Sequence, residues 1–183
     1  MNLPTRQEAL TLLTEWVSEP YQILHAKMVA AAMEMYAEKF GEDKELWFIT
    51  GLLHDLDYNK HPEEHPKVSM EFFKENGYPE ELIHAVAAHA WERTGIKPES
   101  QLAKTLVATD EMSGLIYAYS LVRGADKFNG MESKSVLKRF KELKFAAKIN
   151  REEIQYGVDL MGITLDEHAK NLIEAFQRMP ELQ

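Results

Sequence analysis

Gly51-Leu52-Leu53-His54-Asp55-Leu56-Asp57-Tyr58 closes the third apolar run of this 183-residue chain. Such a run ordinarily ends on a cap, a glycine or a solvated charge. Here it ends on an adjacent imidazole and carboxylate, which bind metal ions through nitrogen and oxygen. Neighbouring helical residues point about 100° apart, so His54 and Asp55 can meet one ion from two sides, or Asp55 can bridge two ions. A histidine at a helix end also complements the helix dipole without any metal. Ligands arriving on other inward helical faces decide between these readings.

On either side the chain reads as helices. Thr5-Arg6-Gln7-Glu8 has capping-box spacing and opens a helix to about Ser18. A second covers about Tyr21 to Phe40 and stops at Gly41. Its apolar stripe holds Met28, Val29, Ala32 and Tyr36, with His25 on the same face. The third starts near Asp43. After the His54-Asp55 pair, Pro62 and Pro66 mark a loop, and Pro66 suits the first turn of a fourth helix to about Asn76, with His65 just before it. Gly77-Tyr78-Pro79 is a break. The fifth helix carries Leu82, Val86 and His89 at i, i+4 and i+7, so His89 faces inward. Ser100 caps a sixth to about Val122, whose inward row Leu102, Leu106, Asp110, Gly114, Tyr117 contains a carboxylate. A short surface helix holds Val136, Leu137 and Phe140; another runs from Asn150 to near Gly162, and the last starts at Thr164 with a second capping box. With no alternating strand pattern, repeat or linker, the fold class is all-α, a single-domain helical bundle.

An inward aspartate needs a partner or a cation, because a buried ionised carboxylate is costly otherwise. His25, His54, Asp55 and Asp110 together make a nitrogen–oxygen set suited to Mn, Fe, Ni, Co or Zn, and too nitrogen-rich for calcium or magnesium. The chain has no cysteine, which excludes disulfides, thiolate zinc sites and a cysteine nucleophile. Its net charge of −9 speaks against nucleic acid or an anionic membrane as a partner. No segment reaches the roughly 18 apolar residues of a membrane span, and the N-terminus lacks a secretory pattern; a soluble cytoplasmic protein is expected.

The order His25, His54-Asp55, Asp110, set in Ile23-Leu24-His25, Gly51-Leu52-Leu53-His54-Asp55 and Val107-Ala108-Thr109-Asp110, resembles the HD-domain superfamily of metal-dependent phosphohydrolases. The resemblance covers roughly residues 20 to 120, an HD-type core on which the helices of 131–183 would pack. It implies that His25, His54, Asp55 and Asp110 hold a first metal. Members with two metals add histidines between the pair and the last aspartate; His65 and His89 match those additions, which would make Asp55 a bridge. The implied function is hydrolysis of a small phosphorylated molecule, a nucleotide among the candidates, by metal-activated water. Two other readings share the ligand set: a di-iron oxygenase of the HD type, and a non-catalytic HD-like sensing module. Gly77-Tyr78-Pro79 spells the tripeptide of a cyclic-dinucleotide-cleaving branch, but here it precedes a lone His89 and reads as a helix break.

Around the pair, Asp55, Asp57 and Lys60 are the candidate catalytic residues. Asp57 would orient a ligand or take a proton, and Lys60 would meet a phosphate unless it forms an exposed ion pair. Arg93 and Lys97 are further phosphate candidates, and Tyr58, Tyr117 and Tyr119 are candidate pocket walls. His61 and His84 read as surface residues and His168 as unrelated. The basic run Lys134, Lys138, Arg139, Lys141, Lys144, Lys148 reads as a solvated face. An oligomer is compatible with all of this.

Overall fold

A computed structural model describes residues 3–182 and contains ten α-helices and no strand among them. They are α1 (Arg6–Trp16), α2 (Pro20–Phe40), α3 (Lys44–Leu53), α4 (Lys67–Glu75), α5 (Glu80–His89), α6 (Trp91–Thr94), α7 (Gln101–Val122), α8 (Ser133–Lys141), α9 (Arg151–Met161) and α10 (Leu165–Gln177). Among the described residues, no helix is long and apolar enough to cross a membrane.

The helix starts follow from local chemistry. Thr5 and Glu8 form the expected reciprocal capping box. Asp43, Ser100, Asn150 and Thr164 each accept a backbone N–H in the first turn of their helix. Gly41 and Gly162 end α2 and α9 in the left-handed conformation that a Cβ disfavours. Periodicity did not reveal α6, a single turn between His89 and the Gly95 loop. Nor is the stretch after His54 an open loop: backbone bonds such as Leu56 to Leu53, His61 to Asp57 and His65 to His61 wind it into successive turns.

Apolar residues gather in two clusters that meet along α2. One side of α2, with Ala26 and Ala30, packs with α1, α3 and α5 through Leu13, Ile49, Leu53, Leu82 and Val86. The other side, with Met28, Val29, Met33 and Tyr36, packs with α7, α9 and α10 through Leu106, Val158, Leu172 and Phe176. Each fully buried side chain of this size contributes about 1.5–3 kcal/mol.

Two helix crossings are unusually close. A Cβ on Gly51 would lie 2.9 Å from Ala30 Cα, and a Cβ on Gly157 would lie 2.4 Å from Ala108 N. The first crossing draws α3 onto α2; the second draws α9 onto α7. Ahead of α9, the buried Arg151 guanidinium donates to the carbonyls of Phe140, Ala146 and Ile149 and so shapes the segment leading into the helix. The basic run along α8 and beyond is largely exposed, as a solvated face should be.

His168 lies outside any ligand cluster and is fully buried. Its Nε2–H donates to Ala108 O (2.8 Å), and its Nδ1 accepts from the Tyr36 hydroxyl (2.6 Å). Burial pushes its pKa down to about 4, only partly opposed by the bond to Ala108.

Two measurements test this packing. Gly157→Ala forces a methyl into the α7 backbone and is expected to cost about 1–3 kcal/mol or more in chemical denaturation, whereas the exposed Glu152→Ala should stay within about 0.5 kcal/mol of wild type. For His168, the folded chain stays neutral while the unfolded chain gains a proton as pH falls from about 6.5 to about 4, so this group's contribution to stability is present above that window and lost within it. The stability gap between wild type and His168→Gln is therefore expected to narrow by on the order of 2–3 kcal/mol between pH 7 and pH 4; a pH-independent gap would contradict a neutral buried imidazole.

Candidate metal centre and cleft

The tight α2–α3 crossing sets the site. His25 lies five residues before Ala30, and His54 three after Gly51, so the crossing brings their rings to a centroid separation of 5.4 Å. Gly51 also accepts a hydrogen bond from His54 Nδ1 (2.8 Å), which orients the ring. From α7, Asp110 Oδ1 reaches His25 Nε2 at 2.8 Å and His54 Nε2 at 3.4 Å. Asp55 Oδ2 lies 3.5 Å from His54 Nε2. The ligand atoms of His25, His54, Asp55 and Asp110 all fall within 4.8 Å of one another.

A second set shares Asp55. Its Oδ1 lies 3.4 Å from both His65 Nε2 and His89 Nε2, and the two nitrogens are 3.1 Å apart. These three side chains satisfy the same 4.8 Å limit. Asp55 thus turns one oxygen to each set.

The hydrogen bonds behind the rings determine what the front nitrogens can do. Neutral imidazole has one N–H and one lone pair. His54 Nδ1 donates to Gly51 O, His65 Nδ1 to Asp57 Oδ1 (2.7 Å) and His89 Nδ1 to Val86 O (2.5 Å). In the neutral tautomer each Nε2 is then a bare lone pair. His54 Nε2 is buried without a hydrogen-bond partner among the described residues, and lies beside two carboxylate oxygens. His65 and His89 point lone pairs at each other and at Asp55. Such a cluster is repulsive unless a cation sits within it. The residues therefore fit a metal centre, and without a metal they must take up protons. That demand is visible in the imidazole itself: burial disfavours charge on His54, yet Asp55 and Asp110 push its pKa up to about 9. Burial likewise works against ionised Asp55 and Asp110, but His54 and the other imidazoles hold both below the usual carboxylate range.

Asp57 faces the ring of His65 and does not line the cleft. It is fully buried, one oxygen takes the His65 proton, and the other accepts the Ser69 N–H in the first turn of α4 (2.9 Å). These bonds outweigh burial and hold its pKa below the usual range. Lys60 points away from the ligand sets. It faces α1, donating to Glu15 O (2.9 Å) above the Trp16 ring, and does not line the cleft. The turns after Asp57 carry its side chain outward, which spacing alone does not indicate.

A cleft of about 320 Å³ opens over the centre. His25, Asp55, His65, His89 and Asp110 form its floor, and Tyr21, Tyr58 and Trp91 supply aromatic walls. Tyr117 supports Tyr21 from behind (5.3 Å between rings), while Tyr117, Tyr119 and Lys97 do not line the cleft. Arg93 does, and its Nη1 donates to Pro62 O (2.6 Å), tying it to the turn that carries His65. His61 and His84 are not fully buried and belong to neither cluster.

Sequence reasoning missed Tyr21, Gln22, Trp91, Glu111 and Glu153. Two had a readable signal: Tyr21 is one helical turn before His25, and Glu111 follows Asp110. Gln22 Oε1 and Trp91 Nε1 are buried polar atoms with no partner among the described residues. Burial and Asp110 push Glu111 up to about 7, although Asn150 N–H donates to its Oε2 (3.3 Å).

Asp57→Asn tests the orienting role. An amide cannot accept the His65 proton and the Ser69 N–H with both of its terminal atoms, so affinity at the Asp55–His65–His89 set should fall about 10–100-fold. Competition against a chelator reads this directly; unchanged affinity would mean that the hydrogen bond does not matter to the site.

No curated protein and no solved structure matches this chain. The family model described as the HD domain matches residues 23–115, which spans every residue of both ligand sets. The order of ligands along α2, α3, α5 and α7 and their meeting at Asp55 thus accompany a match over half of the sequence: the chain belongs to the HD-domain family.

Proposed function

We propose that this protein is a metal-dependent phosphohydrolase acting on a small phosphorylated molecule, a nucleotide among the candidates. One observation carries the reading: three imidazoles with their outer nitrogens tied back turn lone pairs toward carboxylates at one point, under an open cleft. His25, His54, Asp55 and Asp110 would hold one ion, and His65, His89 and the shared Asp55 a second. Mn, Fe, Ni, Co and Zn suit this donor set. Bound there, such ions supply positive charge against phosphoryl oxygens and a water of lowered pKa.

The protein's own groups account for the rest. Among the described residues, five acidic side chains line the cleft (Asp55, Glu92, Asp110, Glu111 and Glu153), against one guanidinium, that of Arg93. A phosphate entering this field would be repelled without bound cations, which favours a substrate that meets metal and Arg93 together. The volume suits a small molecule, and Tyr21, Tyr58 and Trp91 offer apolar faces to its organic part. The open cleft also favours catalysis over a plugged sensing module.

The shared Asp55 supports one other reading, a di-iron centre that oxidises its substrate with oxygen. Iron content together with substrate-dependent oxygen consumption would favour it over hydrolysis.

Two measurements test the proposal. Loading at about 100 times the dissociation constant should raise stability by about 2.7 kcal/mol, and a chelator should reverse the gain. Across phosphomonoesters and diesters with added manganese, nickel or cobalt, the wild type should release phosphate or cleave diesters, while His54→Ala and Asp110→Asn fall to background. Absence of turnover by metal-loaded wild type across the panel would rule the assignment out.

A further inference from the structure

We infer that Glu153 is the proton donor to the leaving group, an inference that rests on the hydrolytic reading above. Glu153 lies in the third position of α9, outside the segment matched by the family model, yet it lines the cleft with Asp55, Glu92, Asp110 and Glu111. Its placement is firmly held. One turn later, Gly157 lets α9 touch the α7 backbone at Ala108. Just before the helix, Asn150 N–H donates to Glu111 Oε2, and the Ile149 side chain fills the space that a Cβ on Gly114 would take. The Asn150 side chain caps the Glu153 N–H (3.2 Å).

The Glu153 carboxyl is half-buried and has no hydrogen-bond or ion-pair partner among the described residues. Its surroundings favour the protonated form. Burial, then the charges of Asp110, Glu111, Glu92 and Asp55, push its pKa up to about 8. Among the described residues, Arg93 is the one Lys or Arg side chain of the cleft lining.

In the proposed step, a water oxygen bonds to phosphorus and loses one proton to solvent. The ester P–O bond breaks, leaving its electron pair on the departing oxygen. That oxygen takes the Glu153 proton and leaves as an alcohol; the carboxylate is reprotonated from solvent. A poor leaving group needs this proton, and a stabilised phenolate does not.

The test compares an alkyl phosphate with 4-nitrophenyl phosphate in wild type and Glu153→Gln, both metal-loaded. The variant should lose about 10²-fold or more in kcat/KM on the alkyl ester, against about tenfold or less on the aryl ester, since a positioned proton donor contributes about 10²–10⁴-fold. Equal loss on both esters, or no loss on either, overturns the role. No turnover by wild type would instead defeat the hydrolytic reading itself. Infrared difference spectra of zinc-loaded protein supply an independent readout. A protonated-carboxyl component should persist above the usual glutamate titration range in wild type and be missing from the Glu153→Gln spectrum, the component of Glu111 remaining in both. An ionised Glu153 throughout that range overturns the proposal. Matching metal content and melting temperature in the variant show that folding is not the cause.

Discussion

Two helices can approach to backbone contact only where one of them lacks a side chain. At Gly51 this brings α3 against Ala30 of α2, and the histidines at either side of the crossing, His25 and His54, are carried to within one ring of each other. At Gly157 it brings α9 against Ala108 of α7, two residues before Asp110. The site is what these two contacts enclose. A methyl at either crossing would separate elements whose polar groups have matching partners only at the present distance.

The centre formed this way is electrostatically incomplete by itself. Backbone carbonyls and Asp57 take the outer protons of three imidazoles, and this leaves lone pairs facing lone pairs and carboxylates. A buried polar cluster of this kind stores unfavourable energy until a cation enters. The groups behind the rings are therefore as informative as the ligand candidates: Gly51 O, Val86 O and Asp57 fix which nitrogen of each ring is free. Asp55 gains its place between the two sets because it sits at the helix end, where its two oxygens can face different neighbours.

The remaining helices serve the cleft above this centre. α7 brings both Asp110 and Glu111 to the cleft. α6 presents Trp91 and Arg93 at one wall, and Arg93 ties that wall to the turn bearing His65. α9 adds Glu153 at another. The His168–Tyr36 pair, with Ala108 O, joins α10 to α2 and α7 behind the site without entering it. Candidate ligands, acidic groups and aromatic walls thus come from elements far apart in the chain.

The all-α class, the helix limits to within a few residues and all six ligand candidates were legible in the sequence, because each rests on local rules. Caps such as Thr5 and Ser100 act within one turn, and an inward histidine or aspartate stands out against a 3.6-residue apolar period. The sharing of Asp55 was already implied by the resemblance, whereas the outward turn of Lys60, the choice of His65 as the partner of Asp57 and the arrival of Glu153 were decided only by tertiary structure. Each depends on where a side chain points after a turn, or on how closely two helices approach, and those are set by contacts between residues tens of positions apart. Ala108 against Gly157 is the clearest instance: neither residue carries chemistry, and neither position signals by itself that a glutamate one turn away will line the same cleft as the candidate ligands.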